Sequence, residues 1–153
     1  MASTAVEQAL EVAILSRCSD KTLESALFLD ESAPIQSFHA KTVVSRALGL
    51  IGRAANEDLV MIRNIRNLFA HSRIEVDFDA PEVVAACELI TLPERLELET
   101  EGGPAPPIER YVRSCVEYVA CLMSYETDPL GKKLGRFGSI VLDLKGSSPG
   151  QGG

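Results

Sequence analysis

Three side chains in one short stretch have the types and spacing to do chemistry. Arg66, Asn67 and His71 lie within Met61–Arg73, which reads Met-Ile-Arg-Asn-Ile-Arg-Asn-Leu-Phe-Ala-His-Ser-Arg. An arginine can stabilise negative charge as it builds on a reacting group, and a histidine can move a proton near neutral pH. At about 100° per residue, Met61, Ile62, Ile65, Leu68 and Phe69 share one face, while Arg63, Asn64, Asn67 and His71 share the other. The stretch therefore predicts an amphipathic helix, running to about Ser72. Arg66 breaks the pattern. It falls among Leu59, Ile62 and Ala70 at the edge of the apolar face, where a guanidinium must find a carboxylate or do chemistry. Asn67 stands four residues before His71, on its face, and could orient the imidazole or bind an oxygen anion. Arg66 and His71 are five residues apart, about 140° around the helix. One ideal helix cannot aim both at a single phosphate without long side-chain reach, a distorted last turn or a second subunit.

The residues are open to an architectural, a binding or a catalytic role. In the architectural one, Arg66 neutralises a buried carboxylate, and His71 with Asn67 satisfies the carbonyls at the helix end. The partner expected for Arg66 is Asp20. If Thr4 to about Leu29 is one helix, Ala9, Ala13, Ser16, Asp20, Leu23 and Leu27 form a packed seam with Asp20 inside it, and Glu24 is second in line. A helix break at Ser19 would instead make Asp20 an N-cap. In the binding role, Arg63, Asn67 and His71 form an exposed polar strip, which also motivates a homodimer.

Elements to carry these residues are readable on both sides. Phe38 to Ile51 predicts a helix burying Ala40, Val43, Val44, Ala47, Leu48, Leu50 and Ile51, which Gly52 can end, with His39 off that face. Asn56 reads as the N-cap of the central helix, with Glu57 and Asp58 in its first turn, where negative charge suits the dipole. Ile74, Val76 and Phe78 form a short extended link. Asp79-Ala80-Pro81-Glu82 then opens a short helix to about Leu89 that buries Val83, Ala86, Cys87 and Ile90. Glu94 to Pro107 reads as a surface loop. Ile108 to Ser124 is the last strong helix: Ile108, Tyr111, Val112, Cys115, Val116, Tyr118, Val119, Leu122 and Met123 occupy an arc of about 160°, and Arg110, Ser114, Glu117 and Cys121 face away. The expected fold is all-α, a single-domain antiparallel bundle of four or five helices over residues 1–125. Residues 126–153 form a Gly-rich tail in which Ile140, Val141, Leu142 and Leu144 can pack as an extended piece, and the last eight residues are expected to be disordered.

Composition narrows the function classes. A chain of 153 residues, 46% hydrophobic, can bury a core without disulfides or metal. Its net charge of -7 argues against broad binding to duplex DNA, and Glu57 and Asp58 would repel phosphate where a recognition helix would need cations. No apolar run approaches the roughly 18 residues of a membrane span, so a soluble cytoplasmic protein is expected. Cys18, Cys87, Cys115 and Cys121 show no metal-ligand spacing and are expected to be four reduced thiols. Neither metal nor cofactor is expected, and phosphate-loop, HExxH and nucleophile-elbow motifs are missing.

Two resemblances meet at the central stretch. Phe38-His39-Ala40-Lys41, Ala47-Leu48-Gly49-Leu50-Ile51, the run Ile62 to Ser72, and Phe78-Asp79-Ala80-Pro81-Glu82 stand in the order and spacing of the mannitol operon repressor family, and Asp20-Lys21-Thr22-Leu23-Glu24 looks like its acidic signature. The likeness covers about residues 20–93, with Lys41 where that family tends to have arginine. It implies an all-helical bacterial regulator that represses transcription without an evident DNA-binding motif, acting through a protein partner. More remotely, Arg66-Asn67-Leu68-Phe69-Ala70-His71 resembles the Arg-Asn-x-x-x-His signature of HEPN domains, which include metal-independent ribonucleases. That resemblance implies RNA cleavage by the 2′-hydroxyl, with His71 moving the proton and Arg66 stabilising charge at a cleft shared by two protomers.

Overall fold

The computed structural model describes residues 2–73, 75–96, 105–130 and 140–142. Among them are six α-helices and no strand: α1 (Ala2–Ser16), α2 (Phe38–Ala47), α3 (Arg53–His71), α4 (Pro81–Glu88), α5 (Leu92–Arg95) and α6 (Pro107–Met123). The count exceeds the expected four or five because Leu92-Pro93-Glu94-Arg95, at the edge of the expected loop, closes one helical turn. α1 packs chiefly on α6 and α2, and α3 lies against α2 and α4. Val6, Leu10, Ile14, Leu59, Ile62, Ile65, Tyr118 and Leu122 form the centre of the core. The last eight residues of the chain lie outside the described set, as does Ile74.

The first helix stops at Ser16 instead of continuing to Leu29. The Ser16 hydroxyl donates back to the Ala13 carbonyl at 2.6 Å, and Arg17 and Cys18 close the end with N–H bonds to Ile14 and Leu15. Asp20 then caps a short 3-10 turn (Lys21–Leu23), accepting from the Thr22 amide at 2.9 Å and its hydroxyl at 2.5 Å. Such local side-chain bonds offer the backbone an alternative to helix. A single π-helical turn follows (Ser25–Leu29), and Asp20 and Leu23 are exposed.

Two helices are rotated about their axes relative to their apolar wheels. α2 ends at Ala47, four residues short of the expected Ile51, because Gly49 and not Gly52 ends it: Gly49 takes φ +70° and the Leu50 amide bonds back to the Ser45 carbonyl at 2.9 Å. It buries Phe38, Lys41, Thr42 and Ser45, leaving Val43 and Leu48 exposed. α6 buries Tyr111, Ser114, Cys115, Tyr118, Cys121 and Leu122, so Ser114 and Cys121 are inside the core and not on the polar side. Ile108, Val112, Val116 and Met123 are correspondingly exposed. Ile140 and Val141 are buried in helical rather than extended backbone, and Val141 accepts from the Gly52 amide at the start of α3.

Three of the four cysteines are buried, and Cys18 is half-buried. Burial pushes the Cys115 thiol up to about 12 and raises Cys87 as well. A thiol-exchange titration of the folded chain at neutral pH should therefore release one equivalent quickly, from Cys18, and the other three only on denaturation. Four fast equivalents would contradict this packing.

Candidate functional site

α3 carries the residues singled out for chemistry and sends them to different neighbours. Asn64, Asn67, Leu68 and His71 recur at i, i+3, i+4 and i+7, so they share a face near its C-terminal end. With Ser72, Val76 of the link, and Glu82 and Val83 of α4, they line an open cleft of about 580 Å³. Leu68 and Val76 are half-buried and Val83 is buried, while Asn67, His71 and Glu82 are exposed. Amides, an imidazole, a hydroxyl and a carboxylate thus surround an apolar lining, in a volume typical of ligand sites.

The facing wall is held by the link. Phe78 packs between Phe69 of α3 and Tyr111 of α6 with tilted rings, their centroids 4.9 and 5.5 Å away. The Asp77 carboxylate accepts from the Asp79 amide at 3.0 Å, and the Ala80 carbonyl receives the Val83 and Val84 amides at 3.0 and 2.9 Å. Ala80, not Asp79, is the N-cap of α4, and Pro81 sets the first turn. Glu82 sits in that turn, where the helix dipole favours a carboxylate.

Arg66 reaches α1. Its Nη1 donates to Glu7 Oε2 at 2.6 Å, with the side chain 36% exposed. Asp20 is therefore not its partner: α1 ends before Asp20, whose carboxylate is engaged with Thr22. The second oxygen of Glu7 accepts from Lys41 Nζ at 2.9 Å, and Lys41 also meets Glu11 Oε1 at 2.7 Å. Lys41 is 4% exposed, so two carboxylates one helical turn apart on α1 hold a buried ammonium from α2. Burial lowers the Lys41 pKa, but the bonds from Glu11 and Glu7 outweigh it and raise it above the ordinary lysine value.

Arg63 departs from the expected strip. Asn67 and His71 line the cleft, whereas Arg63 does not, and its Nε is buried with no hydrogen-bond partner among the described residues.

A second polar cluster escaped the sequence reading. Asp58 is fully buried and accepts from the Thr91 amide at 2.7 Å, the Thr91 hydroxyl at 3.0 Å, Arg95 Nη2 at 3.0 Å and the Tyr118 hydroxyl at 2.6 Å. Burial, reinforced by the Asp58 charge, pushes the Tyr118 phenol well above its ordinary range. Arg95 Nη1 also bonds the Ile140 carbonyl at 2.7 Å, so the cluster ties α3, α5, α6 and the returning segment together. A signal was present: Asp58, Ile62 and Ile65 fall at i, i+4 and i+7, on the apolar face. Arg110 makes a comparable clasp, binding the Cys87 carbonyl at 2.9 Å, the Ile90 carbonyl and the Glu94 carboxylate at 2.7 Å.

Among the described residues no group of three or more His, Cys, Asp or Glu side chains is placed to hold a metal ion, and no helix is long and apolar enough to cross a membrane. The chain matches no protein-family model, no curated protein and no solved structure.

Proposed function

We propose that this chain is a cytoplasmic bacterial regulatory protein of the mannitol operon repressor kind, a single-domain antiparallel helical bundle that represses transcription by binding a protein partner in the α3–α4 cleft. The observation that carries this reading is the division of labour on α3. Asn64, Asn67 and His71 open onto a cleft with an apolar lining, while the arginine next to them is ion-paired to Glu7. Binding needs only the first group. Phosphoryl chemistry needs a cation at the same phosphate as the histidine.

The resemblance of Ile62–Ser72 and Phe78–Glu82 to that family supports the same reading, since both stretches contribute to the cleft. The net charge of -7 supports a protein partner over direct contact with duplex DNA.

The test combines purified protein with expression profiling. Asn67 and His71 are exposed, so Asn67→Ala/His71→Ala should lower stability by about 1 kcal/mol or less. Deleting the chromosomal gene should raise the transcripts it controls, the parent gene should restore repression, and the double variant should fail to do so at equal protein level. The purified chain should not bind random duplex DNA at moderate salt. Tight, sequence-specific DNA binding by the chain alone would overturn the mechanism. Release of 2′,3′-cyclic phosphate ends from RNA, without metal and lost in both His71→Ala and Arg66→Ala, would replace it with the ribonuclease reading.

A further inference from the structure

The α3–α4 cleft combines three features that together select a ligand chemistry. Its floor is apolar, made by Leu68, Val76 and Val83. Along one wall Asn64, Asn67 and His71 stand on a single face of α3, and none of these three side chains is held by a hydrogen bond or ion pair among the described residues. A carboxamide carries a donor and an acceptor side by side, the same pair that a peptide unit presents, so it can bond the N–H and the C=O of an extended chain together. The spacing suits that backbone. Asn67 and His71 are four residues apart, about 6 Å along the helix axis, and same-side residues of an extended chain recur at about 6.6 Å. Asn64 to His71 covers about 10 Å, the length of roughly three extended residues. The facing wall is anionic. From Glu75 to Glu82 the chain reads Glu-Val-Asp-Phe-Asp-Ala-Pro-Glu, four carboxylates with no basic residue between them. All four are exposed, and Glu82 lines the cleft itself. Val76 and Phe78 alternate with them and are half-buried, which sets the carboxylates at the edge of the apolar floor. Arg73, exposed just past the end of α3, leaves that rim with a net negative charge.

We propose that the cleft takes an extended, basic peptide segment of the partner protein, with one apolar side chain on the floor and Lys or Arg beside it in the sequence. The proposal rests on the regulatory reading and adds the chemistry of the partner. Asn64 and Asn67 bond the segment's backbone, the floor covers its apolar residue, and the carboxylates from Glu75 to Glu82 face its cations. Side chains alternate along an extended chain, so apolar and basic residues at successive positions turn to the floor and to the rim. An acidic segment or a nucleic-acid strand would bring negative charge to the same rim and be repelled.

The probe is a library of short random peptides displayed on phage and selected on the immobilised full chain. Enriched sequences should carry more than one Lys or Arg alternating with an apolar residue. A fluorescent copy of the leading peptide, titrated by anisotropy, should bind about tenfold more weakly to Asn67→Ala and to Glu82→Lys, and more weakly to the parent as salt is raised. Both positions are exposed, so the melting temperature of each variant should stay near the parent's. Methylating the peptide's backbone amides one at a time should abolish binding at the position that meets an asparagine, an effect that side-chain recognition alone would not produce. Exchanging one Lys or Arg of the peptide for Glu should weaken binding to the parent and recover part of the loss in Glu82→Lys. Enrichment of acidic or uncharged sequences, no enrichment over a blank surface, or affinities indifferent to both substitutions would overturn the proposal. Repression in cells carrying Glu82→Lys at the chromosomal locus separates this result from the regulatory reading. Repression lost there while basic peptides fail to bind keeps the regulatory reading and sinks the peptide chemistry, whereas basic peptides that bind as stated while Glu82→Lys still represses sink only the regulatory use of the cleft.

Discussion

Asp58→Ala should be the most damaging single substitution among the polar residues, costing about 3 to 5 kcal/mol of folding stability. The carboxylate is 0% exposed and receives hydrogen bonds from four donors on three other residues, one of them the guanidinium of Arg95. Alanine removes the only negative charge bonded to that guanidinium among the described residues and leaves the Tyr118 hydroxyl and the Thr91 amide facing a void. Arg95 keeps its bond to the Ile140 carbonyl, so it cannot swing to water without loosening the returning segment as well. For a chain of this size the loss lowers the melting temperature by on the order of 10 °C. Asp58→Asn should cost less, about 1 to 3 kcal/mol, because its carbonyl can still accept from Thr91 while its amide meets the Arg95 and Tyr118 donors. Urea denaturation of the two variants measures both figures, and an Asp58→Ala protein within about 1 kcal/mol of the parent would show that water reaches the site.

That cluster also shows where reading a helix wheel stops. α3 was legible except at its start, which lies at Arg53 after Gly52 and not after Asn56, because its apolar residues keep a strong helical period and its polar face carries Asn64, Asn67 and His71, and the cleft draws on that face. Asp58 was misread because a carboxylate near a helix start has a ready local explanation in the dipole. Its real partners, Thr91, Arg95 and Tyr118, are 33, 37 and 60 residues away. The orientations of α2 and α6 failed for the same reason. A wheel ranks residues by transfer energy, but a polar side chain with an assigned partner buries readily: Lys41 between Glu7 and Glu11, and Ser114 donating to the Arg110 carbonyl at 2.7 Å.

The site was half legible on similar grounds. Asn67 and His71 share the cleft because four-residue spacing fixes their common face whatever the rest of the chain does. Glu82 and Val83 join them through the packing of α4 on α3 and α6, beside the contacts of Phe78 with Phe69 and Tyr111, which no local pattern encodes. The demand that Arg66 find a carboxylate was a sound inference from its place on the wheel. Its choice of Glu7 over Asp20 depended on where α1 ends, and four polar residues, Ser16, Ser19, Asp20 and Thr22, make that boundary hard to place.

Removing both carboxylates from α1 should have the second largest effect. Glu7→Ala/Glu11→Ala leaves Lys41, 4% exposed, without either of its described anionic partners and should cost about 3 to 5 kcal/mol. Either single variant should cost less, since Lys41 keeps one carboxylate, and Arg66 is exposed enough to be hydrated when Glu7 is lost. The two single losses should therefore sum to less than the double, with a coupling of roughly 0.5 to 3 kcal/mol. The pH dependence has a defined sign. The Lys41 pKa is raised from the ordinary 10.5, so the folded chain holds its proton more tightly than the unfolded one. Its contribution is complete below the unfolded value and is lost as pH rises through the folded value. Tyr118, raised from 10.0, Tyr125, pushed up to about 12, and the buried thiols of Cys87 and Cys115, raised from 9.0, act in the same direction, so the parent should lose stability steadily above about pH 9. In Glu7→Ala/Glu11→Ala the lysine part of that slope should vanish or reverse, because an ammonium buried without partners binds its proton less tightly than in the unfolded chain. Melting curves from pH 8 to 11 on the parent and the double variant would read the difference. Parallel curves would mean that Lys41 reaches water and that the two glutamates do not hold it.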